Sequence, residues 1–173
     1  MKQHLTINSL IEKYPEFCSN VYCGFGVGDG WLPILDKLFN NMKHHVNQIK
    51  SHNKWYTECK NRPGTDPNVL ANHSLKEELN PQVAQVKEKF GLLRIYIDNT
   101  DEYIDGLVSM AESISAITCE DCGLPGEMRD GGWLRTLCNS CDEAVKVAKK
   151  ELFEKYAKTQ YAKTQKEINE TNK

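Results

Sequence analysis

Residues 119–141 have the sequence CEDCGLPGEMRDGGWLRTLCNSC, in which two CxxC pairs are separated by fifteen residues. Cys119 and Cys122 form the first pair, and Cys138 and Cys141 form the second. This spacing is typical of a four-thiolate zinc site, because each pair forms a tight knuckle that offers two sulfurs to one ion. A redox dithiol or unrelated free thiols are the alternatives. The sequence therefore predicts one bound Zn2+.

The predicted zinc site is structural rather than catalytic, because four thiolates fill the tetrahedron and leave no position for water. Residues 118–142 would form a zinc-ribbon-like module, with glycines suited to its tight turns. The segment from Cys119 to Asp142 contains five acidic residues and only two arginines, so its net charge is negative. Generic nucleic-acid binding needs a basic surface instead. We therefore favour a metal that orders this segment over a ribbon that grips DNA, RNA or a protein.

The whole chain has 173 residues and a net charge of −2, which suits one core with a small appended module. No run approaches eighteen apolar residues, and the first residues lack the apolar region of a signal peptide. The seven cysteines are an odd number, and four of them have metal spacing, which favours a reducing compartment. We therefore expect a cytoplasmic protein.

Hydrophobic periodicity predicts the helices of the fold. Residues 32 to about 51 form an amphipathic pattern, with Pro33 in the first turn, and residues 104–117 form a second one. A C-terminal helix is predicted over 143–158, and a frayed or disordered tail over 159–173. Ser74-x-x-Glu77 has the form of a capping box, which predicts a short helix through Leu79 within an otherwise loop-rich segment, 60–81.

Two strands are predicted between Gln82 and Asp98, with a turn near Phe90-Gly91. Because a lone hairpin is unstable in water, it must pack on the helices. The predicted fold class is α+β, with amphipathic helices packed on a β-hairpin and a zinc-ribbon-like module near the C-terminus. Residues 1–117 would form the α+β body that carries this module.

Candidate ligand-binding residues lie in three places. Gly24 to Gly30 contains glycine at every second position before a helix, and it is interpreted as a structural loop capped by Asp29, or as a polar-ligand site that uses Asp29. Lys87, Lys89 and Arg94 surround the hairpin turn with Tyr96 nearby, so they either clamp a small anion or form an ordinary solvated hairpin. Arg129 and Trp133 offer a local contact on the zinc module.

Other patterns are less specific. Cys18-x4-Cys23, Cys59 and His44-His45 are either a second metal site or free thiols and separate histidines. The stretch 37–62 combines basic residues with Trp55 and Tyr56, as nucleic-acid sites do, but charged faces of amphipathic helices look the same. Enzyme motifs such as HExxH, GxSxG or a P-loop are absent, so the sequence favours a non-enzymatic protein.

Three segments together resemble a family of small, largely uncharacterised proteins of phages and prophages. They are Gly28-Asp-Gly-Trp31 with residues 32–38, the segment QVKEKFGLLRIY at 85–96, and the cysteine segment 119–141. The resemblance covers roughly residues 22–142. It implies an α+β body, a zinc-ribbon-like insert and a phage setting, in which small accessory proteins often act in counter-defence, including by sequestering host nucleotide signals.

The first functional hypothesis is a non-enzymatic protein that binds a small anionic, nucleotide-like ligand. Its site would combine all three places: Asp29, Trp31, Lys87, Lys89, Arg94, Tyr96, Arg129 and Trp133. The second hypothesis is an adaptor whose acidic ribbon binds a host protein. The third is nucleic-acid binding through the basic stretch 37–62.

Overall fold

The computed structural model describes residues 5–19 and 24–171, with side chains described as far as Gln160. The elements, in chain order, are helices α1 (Ile7–Lys13) and α2 (Pro15–Cys18), strand β1 (Phe25–Gly26), a 3-10 turn (Asp29–Trp31), helices α3 (Leu32–Asn61) and α4 (Pro67–Leu70), strands β2 (Gln82–Lys89) and β3 (Leu92–Asp98), helix α5 (Glu102–Ser115), strands β4 (Glu127–Arg129) and β5 (Arg135–Leu137), and helix α6 (Asn139–Thr171). The predicted α+β class is confirmed.

The predicted hairpin is β2–β3, an antiparallel pair whose turn contains Phe90 and Gly91. Both turn residues have a left-handed backbone, with φ of 54° and 75°, which matches the right-handed twist of the two strands. Strand β1 pairs parallel to the other edge of β2, so the sheet has the order β1-β2-β3. The sequence did not predict β1, because two residues are too few to show an alternating pattern.

The core lies between helix α3 and the inner face of this sheet. Leu35 and Phe39 of α3 are fully buried, as are Val83, Val86 and Leu93 of the hairpin. Phe39 also contacts the rings of Tyr14, Phe17 and Phe25, which brings α1, α2 and β1 into the same core. The packing partner that a lone hairpin needs is therefore supplied by α3.

Helix α5 covers the outer edge of β3 with side chains rather than with another strand. Glu112 accepts the backbone N–H of Ile95 at 3.0 Å, and Ser115 accepts that of Leu93 at the same distance. Glu112 also forms an ion pair with Arg94 at 2.8 Å. Since an exposed strand edge offers its backbone groups to other chains, these contacts close the sheet on this side.

Helix α3 is longer than predicted, and the helix predicted for 74–79 is wrong. Residues 73–80 instead have no regular secondary structure, and side chains from the second half of α3 bond to their backbone. The amide of Asn53 both accepts from the backbone N–H and donates to the backbone C=O of Lys76, each at 2.9 Å, and His52 contacts the carbonyl of Ser74. These side chains satisfy the backbone groups that a helix would have paired within itself.

Helix α6 has a helical backbone as far as Thr171, through most of the predicted tail, 159–173. The side chains beyond Gln160 lie outside the described part, as do Lys173 and Cys23, the latter belonging to the candidate second metal site. Among the helices of the described residues, none has the length and apolarity needed to cross a membrane.

We predict that Asn53→Ala lowers the free energy of unfolding by about 1–3 kcal/mol, because two partly buried hydrogen bonds to Lys76 are lost. Asn41→Ala is the matched control: Asn41 is exposed on the same helix and bonds only to the carbonyl of Lys37, so about 0.5 kcal/mol or less is expected. Urea unfolding measures both variants. Equal effects of the two would contradict the role given to Asn53.

Candidate metal centre and ligand-binding surface

The four predicted cysteines converge on one point. The Sγ atoms of Cys119, Cys122, Cys138 and Cys141 all lie within 4.8 Å of one another, and those of Cys122 and Cys138 are 3.6 Å apart. Tetrahedral thiolate coordination at a metal–sulfur distance of about 2.3 Å places sulfurs about 3.8 Å apart. The spacing of the four sulfurs therefore fits a metal site with all of its positions taken by cysteine.

Two different local structures present the two cysteine pairs. Cys119 and Cys122 lie in a turn closed by hydrogen bonds from the backbone N–H of Cys119 to the carbonyl of Leu124, and from Gly123 to Cys119. We call residues 118–124 the knuckle. The second pair follows β5 and opens helix α6, so Cys141 lies in its first turn. The positive end of a helix favours thiolates at this position.

Arg129 fixes the start of α6 relative to the β4–β5 hairpin. Its guanidinium donates to the carbonyl of Leu137 at 3.0 Å and to Asn139 at 2.6 Å, and it pairs with Glu127 at 2.8 Å. These partners hold the segment around Cys138 in place. Because its donors are engaged within the module, Arg129 is a positioning residue for the metal centre.

Protonation of the cluster is shared between its members. The backbone N–H of Cys141, together with the Cys141 and Cys122 thiols, lowers the pKa of Cys138 to about 7, against an opposing effect of desolvation. The hydrogen bond to Cys138 correspondingly raises the pKa of Cys141. Metal binding deprotonates such thiols, so affinity for a metal should fall as the pH is lowered.

The knuckle packs on the glycine-rich turn that precedes α3. The backbone N–H of Gly30 donates to the carbonyl of Glu120 at 2.8 Å, and the indole N–H of Trp31 donates to the carbonyl of Thr118 at 2.8 Å. A Cβ atom on Gly30 would overlap the backbone of Cys119 and Gly123. Glycine is therefore required here by the close approach of two backbones.

The second contact between the module and the body is at the tip of the β2–β3 hairpin. The buried hydroxyl of Thr136 donates to the carbonyl of Gly91 at 2.7 Å, and the indole of Trp133 donates to Glu88 at 3.2 Å. A Cβ on Gly91 would lie 2.5 Å from the sulfur of Met128. The module thus touches both the turn before α3 and the tip of the hairpin.

Glu120 is a buried carboxylate between these two contacts. Burial raises its pKa, although the Arg135 guanidinium, 3.1 Å from the carboxylate, opposes the shift. Arg135 also pairs with Asp121 at 2.5 Å. Arg135 is thus paired with two carboxylates. Its ion pair with Glu120 compensates for the burial of the Glu120 carboxylate.

Two of the eight predicted ligand-binding residues, Trp31 and Arg129, have other roles, and the ligand role of Asp29 stays a prediction. The ligand role predicted for Trp31 is wrong, because its side chain is 0% exposed and belongs to the core. Asp29 is exposed but does not cap α3, whose N-cap is Trp31, so the predicted capping by Asp29 is also wrong. Arg129 is engaged in the module. The structure does not bring the eight residues into one site.

Lys87, Arg94 and Tyr96 share the outer face of the sheet. Val86 and Ile95 are paired and buried, so the next pair along the hairpin, Lys87 and Arg94, faces away from the core. The Lys87 ammonium lies 4.9 Å from the centre of the Tyr96 ring. Arg94 is partly neutralised by Glu112, whereas Lys87 has no ion pair within residues 5–19 and 24–171.

Lys89 and Trp133 meet in a cleft of about 450 Å³ at the hairpin tip. The other lining residues are Glu88, Phe90, Gly132 and Leu134. Phe90 and Trp133 are both 68% exposed, and the Lys89 ammonium lies 5.5 Å from the Phe90 ring. The sequence predicted only a turn at Phe90. An aromatic residue at the tip of a polar turn was the signal that it had a further role.

The basic stretch 37–62 does not form a free cationic surface along its whole length. Lys43 pairs with Glu16 at 2.7 Å, and His45 contacts Asp101 at 2.7 Å. His44 bonds to Gln48 along the helix, so the adjacent histidines have different partners. Cys18 and Cys59 are buried, and burial raises the pKa of Cys18 to about 11, as expected for an unreactive thiol.

Comparison of the chain with protein-family models, with curated proteins and with solved structures finds no match. The resemblance to phage and prophage proteins stays a prediction.

We predict that Gly30→Ala destabilises the protein by about 2 kcal/mol or more, because the new methyl group overlaps the backbone of the knuckle. The control is Gly106→Ala on α5, where a Cβ meets nothing within 4 Å and a gain of about 0.5–1 kcal/mol is expected. Chemical unfolding measures both. A Gly30→Ala protein as stable as the wild type would show that the knuckle does not pack here.

Proposed function

We propose that the protein is a non-enzymatic binding protein that holds a small anionic, nucleotide-like ligand on the hairpin surface. We define this surface as Lys87, Lys89, Arg94 and Tyr96 with the cleft residues Phe90 and Trp133. The observation that carries the proposal is the pairing of two cations with exposed aromatic rings, Lys87 with Tyr96 and Lys89 with Phe90. Five of the eight residues predicted from the sequence contribute to it.

The chemistry of the hairpin surface suits both parts of a nucleotide. Exposed aromatic faces stack on bases, and such stacking contributes about 1–3 kcal/mol per base. Ammonium and guanidinium groups bind phosphate oxygens through charge-assisted hydrogen bonds. The rings of Phe90 and Trp133 border the cleft, while Lys89 contributes its charge at the same place.

The biological role that we propose for this binding is that of a phage accessory protein that sequesters a host nucleotide signal. It rests on the resemblance of the three segments, and sequestration requires tight binding without turnover. An adaptor that binds a host protein through the zinc module is the alternative. Leu124 and Met128 are exposed apolar side chains on that module and favour it.

The metal is proposed to be one structural Zn2+. Four cysteine sulfurs at compatible distances are the donor set that zinc prefers, and they leave no open position for catalysis. When bound, zinc would supply the cross-link that holds the knuckle to the start of α6. Cys119 is fully buried and Cys138 nearly so, and they pack with Leu137 in a small apolar cluster of the module.

We predict that at least one nucleotide or cyclic dinucleotide raises the melting temperature and gives a saturable heat in calorimetric titration. The double variant Lys87→Ala/Lys89→Ala should weaken binding at least about tenfold, because two phosphate-binding charges are removed. The matched control is Lys54→Ala/Lys60→Ala, which removes two exposed lysines from the second half of α3. The control should bind as the wild type does.

Two results would count against the ligand proposal. If no nucleotide binds at millimolar concentration, the proposal fails, and capture of a defined partner by a pull-down from host lysate would support the adaptor instead. If both double variants lose affinity equally and the loss depends steeply on salt, binding is non-specific attraction between charges.

We predict one Zn2+ per chain by elemental analysis of the purified protein, and its loss in Cys122→Ser because a complete sulfur set is needed. Cys59→Ser is the control, since Cys59 lies outside the cluster and should leave the metal content unchanged. Zinc retained at full stoichiometry in Cys122→Ser, or iron in place of zinc, would overturn the assignment.

A further inference from the structure

Two helices carry apolar stripes that are largely exposed in the described part of the chain, although Tyr103 stacks on His45 with ring centres 4.2 Å apart. On α5 and just beyond its end, Tyr103, Leu107, Met110, Ile114 and Ile117 recur with heptad spacing, and all but Leu107 are exposed. At 100° per residue the four positions on α5 fall within about 60° of its circumference. The core-facing residues of α5, such as Ile104 and Ala111, lie beside this stripe rather than in it.

The α5 stripe borders a groove of about 300 Å³ between α5 and α3. Apolar side chains from both helices line it, including Ile34 and Leu38 from α3 and Leu107 and Met110 from α5. Its end lies at the knuckle, at Thr118 and Gly123. The groove is therefore shaped to receive a row of side chains from a helix.

Helix α6 carries the second stripe. Every described side chain from Lys146 to Gln160 is exposed, so this part of the helix projects away from the body. Leu152, Phe153 and Tyr156 lie on one side of it, and Phe153 is 76% exposed. Val145 and Ala148 continue the same side toward the module, so the stripe from Val145 to Tyr156 is about 16 Å long, as is the α5 stripe from Tyr103 to Ile114.

The helical segments that carry the two stripes differ in charge, although Lys37 of α3 also lines the groove. Residues 101–117 contain four acidic residues and no lysine or arginine, whereas residues 145–160 contain five lysines and two glutamates. Asp101 contacts His45 and Glu112 pairs with Arg94, which leaves Glu102, in the first turn of α5, without an ion-pair partner in the ranges 5–19 and 24–160. On α6, Lys155 borders the stripe and Lys149 lies within it, and neither has an ion-pair partner in the same ranges. Such charges favour contact between the two helices within a Debye length of about 8 Å.

We propose that the protein forms a symmetric dimer in which the α6 stripe of each copy packs into the α5 groove of the other. Because α6 is one continuous helix whose side chains from Lys146 to Gln160 are exposed, it does not cover α5 of its own chain, whereas a second copy can bring its α6 to that groove. Two-fold symmetry then forms the contact twice, so both apolar stripes of both chains become buried. This inference does not depend on the ligand proposal.

The test is the mass of the full-length protein in solution, measured by light scattering and sedimentation over a wide range of concentration. The wild type should be a dimer. Leu152→Asp/Phe153→Asp and Met110→Asp/Ile114→Asp should each raise the dimer dissociation constant by at least about tenfold. Leu75→Asp, at another exposed apolar residue, should not. Unchanged circular dichroism and metal content show that each variant is folded.

Mixing the two double variants distinguishes the pairing of α6 with α5 from other dimers. The mixture retains one intact contact, between the unchanged α5 of one variant and the unchanged α6 of the other. Mixed dimers should therefore form although each variant alone is a monomer. A monomeric wild type overturns the proposal, and so does a wild-type dimer whose two variants fail to associate when mixed, because its helices would pair α6 with α6 or α5 with α5.

Discussion

The hydrogen bond from the backbone N–H of Gly30 to the carbonyl of Glu120 joins two parts of the chain that are distant in sequence. It forms only because Gly30 has no side chain, and it places the knuckle directly over the start of α3. The indole of Trp31 adds a second bond beside it, to Thr118. Cys119 and Cys122 are thereby held against the body, and the position of the metal centre follows from this contact.

The turn before α3, the tip of the β2–β3 hairpin and the cysteine segment 119–141 pack against one another. The turn before α3 contacts the knuckle, and the tip of the hairpin contacts β4 and β5. The knuckle also bonds to β5, because the backbone N–H of Glu120 donates to the carbonyl of Thr136. Much of their composition is therefore required for fold. This packing does not bury Lys87, Lys89 or Phe90. The two lysines also form no ion pair within the described residues, and each lies near an aromatic ring. Their exposure is the reason for assigning ligand binding to this surface.

Sequence patterns predicted the features that depend on local chemistry. The spacing of Cys119, Cys122, Cys138 and Cys141 predicted their cluster, and alternation around Leu93 and Ile95 predicted the hairpin. Features that depend on distant partners were missed. A glycine-rich turn followed by Trp31 has the same sequence pattern whether it binds a ligand or packs against another backbone segment. Only the structure, which places the carbonyl of Thr118 against the indole of Trp31, distinguishes these two roles. Likewise, the capping box at Ser74 does not start a helix, because the backbone N–H and C=O of Lys76 bond to the side-chain amide of Asn53 on α3.

The two parts of helix α6 have different roles, the first in folding and the second in association. Its start is needed at the metal centre, where Cys141 lies in the first turn. The segment beyond Val145 adds no buried surface to the body, and a helix without packing is only marginally stable in water. Alanine and charged side chains alone would serve a solvated helix, so folding does not explain Leu152, Phe153 and Tyr156 on one side of it. Large apolar side chains that lower solubility without stabilising their own domain are instead explained by contact with another chain.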